Sequence, residues 1–193
     1  GIAFRLDGPA EDPSGWSFSS DFRNASLRAI PDKDPSIPGM PGGTNLSGHI
    51  DATPSGGRVT VSSRNGTAVF PGIFEHASVP FDTFSGVAYW QTSPRLLLSF
   101  RNMVLNNSQV STRADAEWED TGGSGSIRVA GLVSRAAMRT AYRYVPIVAG
   151  KGVIKWLEGA LKAGSSNHAA VEWKGPIERF PYTGKDARSG HFL

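Results

Sequence analysis

From Thr44 onward, apolar and polar positions alternate. In "TNLSGHIDAT", Leu46, Gly48, Ile50 and Ala52 share one face, and Asn45, Ser47, His49 and Asp51 share the other. "SGG" at 55–57 supplies a turn, and "RVTVSS" comes next with Val59 and Val61 on one face. "SQVSTRADAEWED" alternates most regularly. Val110, Thr112, Ala114, Ala116 and Trp118 point one way, and Ser111, Arg113, Asp115, Glu117 and Glu119 the other. One face meets apolar surroundings and one meets water, as in an antiparallel sheet. "FSGVAYWQTSPRLLLSFRN" predicts a hairpin turning at Thr92–Pro94, and "TGGSGS" a turn before a return strand over Ile127–Val133. "RNGT" at 64–67 carries the Asn-Gly signal of a tight hairpin. "AVFPGIF" predicts a short strand broken by Pro71. Strands recur with Gly-rich turns, but no internal repeat keeps a fixed period.

The pattern changes in two places. Pro31–Gly43 holds four prolines and three glycines, which sustain neither a helix nor a central strand. It divides candidate strands at Ile2–Asp7 and Trp16–Ile30 from the rest. The expected organisation is therefore an N-terminal part, 1–43, and a main sheet segment, 44–193. At Ser134 the period shifts. Ser134 is a plausible N-cap for a short helix over "RAAMRTAY" that must end before Pro146. Val153, Ile154, Leu157 and Leu161 then mark the apolar stripe of an amphipathic helix over 153–163, widened by Trp156 and Ala160. Gly164 suits its C-terminal stop, and "AAVEWKGPI" resumes alternation, with Val171, Trp173 and Ile177 on one face. The helix is expected to lay its stripe against the sheet. The fold class is mainly β: a curved antiparallel sheet forming an open groove, or a sandwich, with one or two short helices near 135–163.

Composition narrows the function classes. The 193 residues include no cysteine, so disulfide and thiolate-metal scaffolds are excluded. No apolar run reaches the roughly 18 residues of a membrane span. The net charge of +3 comes from lysines and arginines scattered along the chain. Nucleic-acid binders cluster them among aromatic platforms, so no nucleic-acid partner is expected. The opening "GIAF" drops straight into an alternating strand, which reads as the start of a segment excised from a longer protein.

Candidate chemistry is thin. His49 and Asp51 share a strand face, but no two histidines stand at i, i+4 and no metal site is expected. "GGSGS" at 122–126 lacks the helix that a nucleophile elbow or a phosphate loop needs behind it. Asp115, Glu117 and Glu119 read as the solvent face of an amphipathic strand. Asn24-Ala25-Ser26, Asn45-Leu46-Ser47, Asn65-Gly66-Thr67 and Asn106-Asn107-Ser108 match the glycosylation pattern, as Asn/Ser-rich β chains often do by chance. No cofactor is expected and no enzymatic activity. Trp90, Trp118, Trp156 and Trp173 fall on apolar stripes, which fit either a closed core or an apolar face open to a ligand.

The later landmarks resemble a family. Tyr144-Val145-Pro146, Trp156-Leu157, Ala160 to Gly164, and Gly175 to Phe180-Pro181-Tyr182 stand in the order found in the central region of YhdP-type proteins, AsmA-like envelope proteins of Gram-negative bacteria. Val145 and Tyr182 depart mildly from the family's usual Leu and Phe. The resemblance covers residues 44–193 well and the first 40 loosely. It implies a bridge-like lipid-transfer protein in the periplasm, with phospholipid acyl chains moving between inner and outer membrane along a β groove. It also implies an inner-membrane anchor outside this segment and leaves the outer-membrane partner unknown. Val59, Val61, Leu96, Leu98, Phe100, Val110, Trp118, Ile127, Val129, Val171 and Trp173 are then the expected lipid-lining residues. The alternative is a closed β-sandwich serving as a structural or glycan-binding module, with those same residues sealed in a core.

Overall fold

The computed structural model describes residues 1–7, 15–34 and 38–192. Residues 35–37 of the Pro/Gly-rich loop lie outside the described residues. The chain forms one antiparallel sheet: β1 (Ile2–Asp7), β2 (Gly15–Leu27), β3 (Gly42–Thr53), β4 (Gly56–Val69), β5 (Ser78–Gln91), β6 (Leu97–Asn106), β7 (Val110–Glu119), β8 (Ser126–Ala137), β9 (Ser165–Ser166), β10 (Ala169–Pro176) and β11 (His191–Phe192). Each strand from β1 to β8 pairs with the next, β10 adds to β8, β11 adds to β10, and β9 extends the end of β8. β1 and β11 lie at opposite edges, so the sheet does not close. β2 pairs with β3 across the Pro/Gly-rich loop.

The expected hairpins form at 53–56, 91–97 and 119–126. The Asn65-Gly66 hairpin does not. β4 runs through it, with Asn65 at φ +52°. Asn24 on β2, Asn45 on β3 and Asn102 on β6 take the same left-handed conformation, at φ +50°, +55° and +50°. Pairing registers shift beside Asn24, Asn45 and Asn102, and again between Thr44 and Gly48 opposite the Asn65 stretch. Asn tolerates this backbone because its short polar side chain bonds locally. Cross-strand bonds also hold the band: Asn45 Nδ2 donates to Asn65 O at 2.8 Å, and the Asn24 backbone N–H donates to Ser47 Oγ at 3.1 Å. A band of bulges thus crosses the middle of the sheet, where each one sharpens the bend and twist. Three of the four glycosylation-like matches sit in this band. The fourth holds Asn107, whose Oδ1 accepts from the Gln109 and Val110 amides at 2.8 Å and shapes the β6–β7 turn.

The helical region also differs from expectation. Ser134 is not a helix cap. β8 continues to Ala137, held by β7 on one side and β9 on the other. The seven residues Met138–Tyr144 then form 3-10 turns, with a second turn at Ile147–Ala149. We call Met138–Ala149 the strap. The α-helix, α1, spans Lys151–Ala160. It packs chiefly on the strap instead of the sheet, through buried Ile154 and partly buried Leu157.

Candidate functional site: the apolar face of the sheet

Cross-strand partners share a face, so the register tells which residues meet. Trp90 stands opposite Leu98, Leu98 opposite Trp118, and Trp118 opposite Ile127. One step along the strands, Ile50, Val59, Ala88, Phe100, Ala116, Val129, Trp173 and Phe192 form a row across eight strands. Val61 pairs with Gly48 and Gly86, and Val171 pairs with Gly131. Val110, opposite Ala136, is on the same side. Leu96 lies in the turn before β6 and is 36% exposed. Ten of the eleven expected lining residues therefore share one strand face, and Leu96 stands at its rim. Sequence reasoning missed Ile2, Phe4, Leu6, Trp16 and Phe18, which extend this face over β1 and β2. Their alternation was legible, but the Pro/Gly-rich loop hid its continuity with the main sheet.

The opposite face is polar. Ser19, Asp51, Arg58, Tyr89, Ser99, Glu117, Arg128, Lys174 and His191 run across it in register. Glu117 pairs with Arg101 and, at 3.5 Å, with Arg128. Such exposed pairs contribute little stability.

The apolar face is covered unevenly. Over β7–β10, Trp118, Ile127 and Val129 pack against a cluster of Trp173, Ile177 and Tyr182, with Phe180 and Val148 added. Trp173 Nε1 donates to Tyr182 Oη at 2.8 Å, and Tyr182 Oη donates to Pro176 O at 3.1 Å. Burial holds the Tyr182 hydroxyl above its ordinary pKa of 10.0. The rings of Trp173, Phe180, Tyr182 and Phe192 meet edge to face, with centroids 5.5–6.4 Å apart. Gly175, at φ +137°, is required here: a Cβ would lie 2.8 Å from Tyr182 Oη and from Gly190. The Gly175 to Phe180-Pro181-Tyr182 motif is thus a packing device that folds the tail back over the sheet.

Val148 brings the strap into that cluster, so the strap overlies the apolar face. It is pinned by Ile147 N–H to Ile73 O at 2.9 Å, by the Phe74–Pro146 bridge, and by Tyr144 Oη, which donates to Gln109 Oε1 at 3.1 Å. A cleft of about 430 Å³ lies beside it, lined by His76, Val79, Pro80, Gln109, Arg143 and Tyr144.

Cover is sparse over β1 and β2 and around Trp90, Leu98 and Phe100 on β5 and β6, whereas Ala68, Val79 and Phe81, toward the other end of β4 and β5, are 2%, 4% and 2% exposed. Val59, Val61, Leu98 and Phe100 are half-buried, and Ile2, Phe4 and Leu6 are 80%, 62% and 48% exposed. The accessible surface is 12066 Å², against about 8,900 Å² for a compact protein of 20.6 kDa.

One polar cluster resembles a catalytic arrangement. His49 Nδ1 is 2.8 Å from Asp21 Oδ1, and Ser19 Oγ is 3.2 Å from His49 Nε2. However, Ser19 donates its proton to Asp51 Oδ1 at 2.8 Å, and Asp51 also faces His49 Nε2 at 3.1 Å. With a carboxylate at each ring nitrogen, His49 is raised above its ordinary pKa, chiefly by Asp21 and then by Asp51. Asp21 is lowered, chiefly by His49, and Asp51 chiefly by Ser19. The Ser19 hydroxyl proton is thus directed at Asp51 instead of at His49, and the cluster lies on the exposed polar face. Among the described residues, no group of three His, Asp or Glu side chains could hold a metal ion.

An open antiparallel sheet, polar on one side and apolar on the other, defines a scaffold that presents an extended surface. The chain belongs to the YhdP protein family, whose model matches residues 2–193. This is a family of Gram-negative envelope proteins, and membership fits an AsmA-like envelope protein. No curated protein and no solved structure is similar to the chain. No helix among the described residues is long and apolar enough to cross a membrane.

Proposed function

We propose that the chain is a periplasmic segment of a bridge-like lipid-transfer protein, in which phospholipid moves between inner and outer membrane along the apolar face of the sheet. The supporting observation is the continuous apolar face, which the chain leaves largely uncovered over β1 and β2 and along Val59, Leu98 and Phe100 on β4–β6. Acyl chains would replace water on Val59, Val61, Leu98 and Phe100, at roughly 25 cal/mol per Å² of apolar surface removed from water. Headgroups would remain in solvent beyond the groove. Such movement needs no catalytic residue, cofactor or metal. An anchor outside these residues would fix the protein to the inner membrane.

A second reading has its own support. The Trp173–Ile177–Tyr182 cluster is a closed core, so the β8–β11 part fits a structural module as well as a conduit. One experiment separates the two readings. A photo-crosslinking residue is placed at Leu98, and at Arg113 on the opposite face, in the intact protein within its native envelope. Phospholipid adducts at Leu98 but not at Arg113 support transport. No adduct at Leu98 overturns it in favour of the structural module.

A further inference from the structure

α1 presents an outward face that its packing does not explain. Ile154 is buried at 3% exposure, while Trp156 is 67% and Val153 47% exposed. A tryptophan this exposed on an ordered helix leaves a large apolar surface in water. Gly152 precedes Trp156 by one turn and Gly159 stands three residues beyond it, so both flank it on the same face. A Cβ at either position would meet nothing within 4 Å. Neither glycine therefore serves internal packing, and each weakens the helix relative to alanine. Their effect is to leave the Trp156 ring standing clear of its own helix. Lys151 and Lys155 are exposed on the same ten-residue helix, against Glu158 as its one acidic residue. The nearby Lys162 donates to Glu158 O at 3.3 Å.

We propose that α1 is a contact element for an anionic phospholipid surface. Trp156 and Val153 enter the headgroup region, and Lys151 and Lys155 meet the negative charge. An exposed aromatic beside lysines is the composition of a helix that lies in a membrane interface, and the charge of α1 complements an anionic surface. The glycines let the helix backbone approach that surface closely around the ring. This reaches beyond the groove reading, because it requires no acyl chain to enter the sheet.

The intact protein is sedimented with vesicles of phosphatidylcholine, with and without phosphatidylglycerol, at low and raised salt. The expected result is binding to the phosphatidylglycerol vesicles, weakened by salt, with a loss of roughly tenfold in Trp156→Ser. Lys151→Glu with Lys155→Glu should weaken binding comparably. Tyr89→Ser, which removes an exposed aromatic from the polar face, should leave it unchanged. Thermal melts control for unfolding; Trp156 is exposed, so Trp156→Ser should melt with the parent. No binding to either vesicle overturns the proposal. Binding that survives Trp156→Ser also overturns it, since another apolar surface, such as the exposed edge at β1, is then responsible. Lipid crosslinking at Leu98 is read separately, so either idea can fail alone.

Discussion

On β3–β6, Ile50, Val59, Trp90, Leu98 and Phe100 remain partly exposed, whereas Trp173 on β10 is 8% exposed and hydrogen-bonded inside a cluster. Both regions share the same period-two pattern, and their strands pair in one continuous sheet. The difference comes from the residues beyond β10. Ile177, Phe180 and Tyr182 fold back over β8 and β10, Phe192 on β11 flanks Trp173, and the strap adds Val148. Nothing comparable succeeds β2 or β6 among the described residues. Alternation decides which face is apolar. Cover over that face is decided elsewhere in the chain, by segments that do not alternate.

The largest expected effect tests the closed region. Trp173→Ala removes the centre of the cluster and leaves Tyr182 Oη without the indole donor. It should destabilise the protein by about 3–5 kcal/mol in urea unfolding. Leu98→Ala, in the open region, removes a half-buried side chain and should cost only about 1 kcal/mol. Equal losses at the two sites would abolish the distinction between a packed half and an open one.

The bulge band gives the next effect. Asn65→Ala puts a residue that disfavours the left-handed region into φ +52°. It should cost about 1–2 kcal/mol, while Asn65→Gly should be close to neutral. Paired melts of the two variants check this. A glycine variant as damaged as the alanine variant would mean that the side chain, not the backbone, carries the position. The band lies away from β8 and β10, so its loss should flatten the sheet without loosening the Trp173 cluster.

This band also shows where the sequence was readable and where it was not. The alternation of residues 110–118 and the turns at 92–94 and 121–125 were legible, because each depends on a few adjacent residues. Asn65-Gly66 read as a hairpin because a tight turn and a bulge both need positive φ; only pairing with β3 and β5 keeps the strand running. Ser134 read as a cap because β9, just two residues long, is too short to announce itself as the partner that extends β8. The family motif from Gly175 to Tyr182 was visible as a pattern, but its physical reason was not: Tyr182 and Gly190 pack against Gly175. The outward turn of Trp156 was hidden because the stripe of α1 could face either sheet or solvent.

The smallest effect concerns the polar face. His49 is held above its ordinary pKa of 6.5, so its pairing with Asp21 and Asp51 contributes fully below 6.5 and is lost as pH rises through the raised value. Asp21 and Asp51 are held below 3.8, so their contribution is present above 3.8 and is lost as pH falls through the lowered values. Arg58 also faces Asp51 and favours its ionised form. Stability from this cluster should therefore peak between about pH 3.8 and 6.5, the ordinary values for Asp and His. All three side chains are solvent-exposed, so the peak should be shallow. His49→Gln should flatten it while leaving lipid crosslinking at Leu98 unchanged, because the two faces are separated by the sheet. A variant that also lost the Leu98 adducts would show that the polar face is needed to hold the groove open.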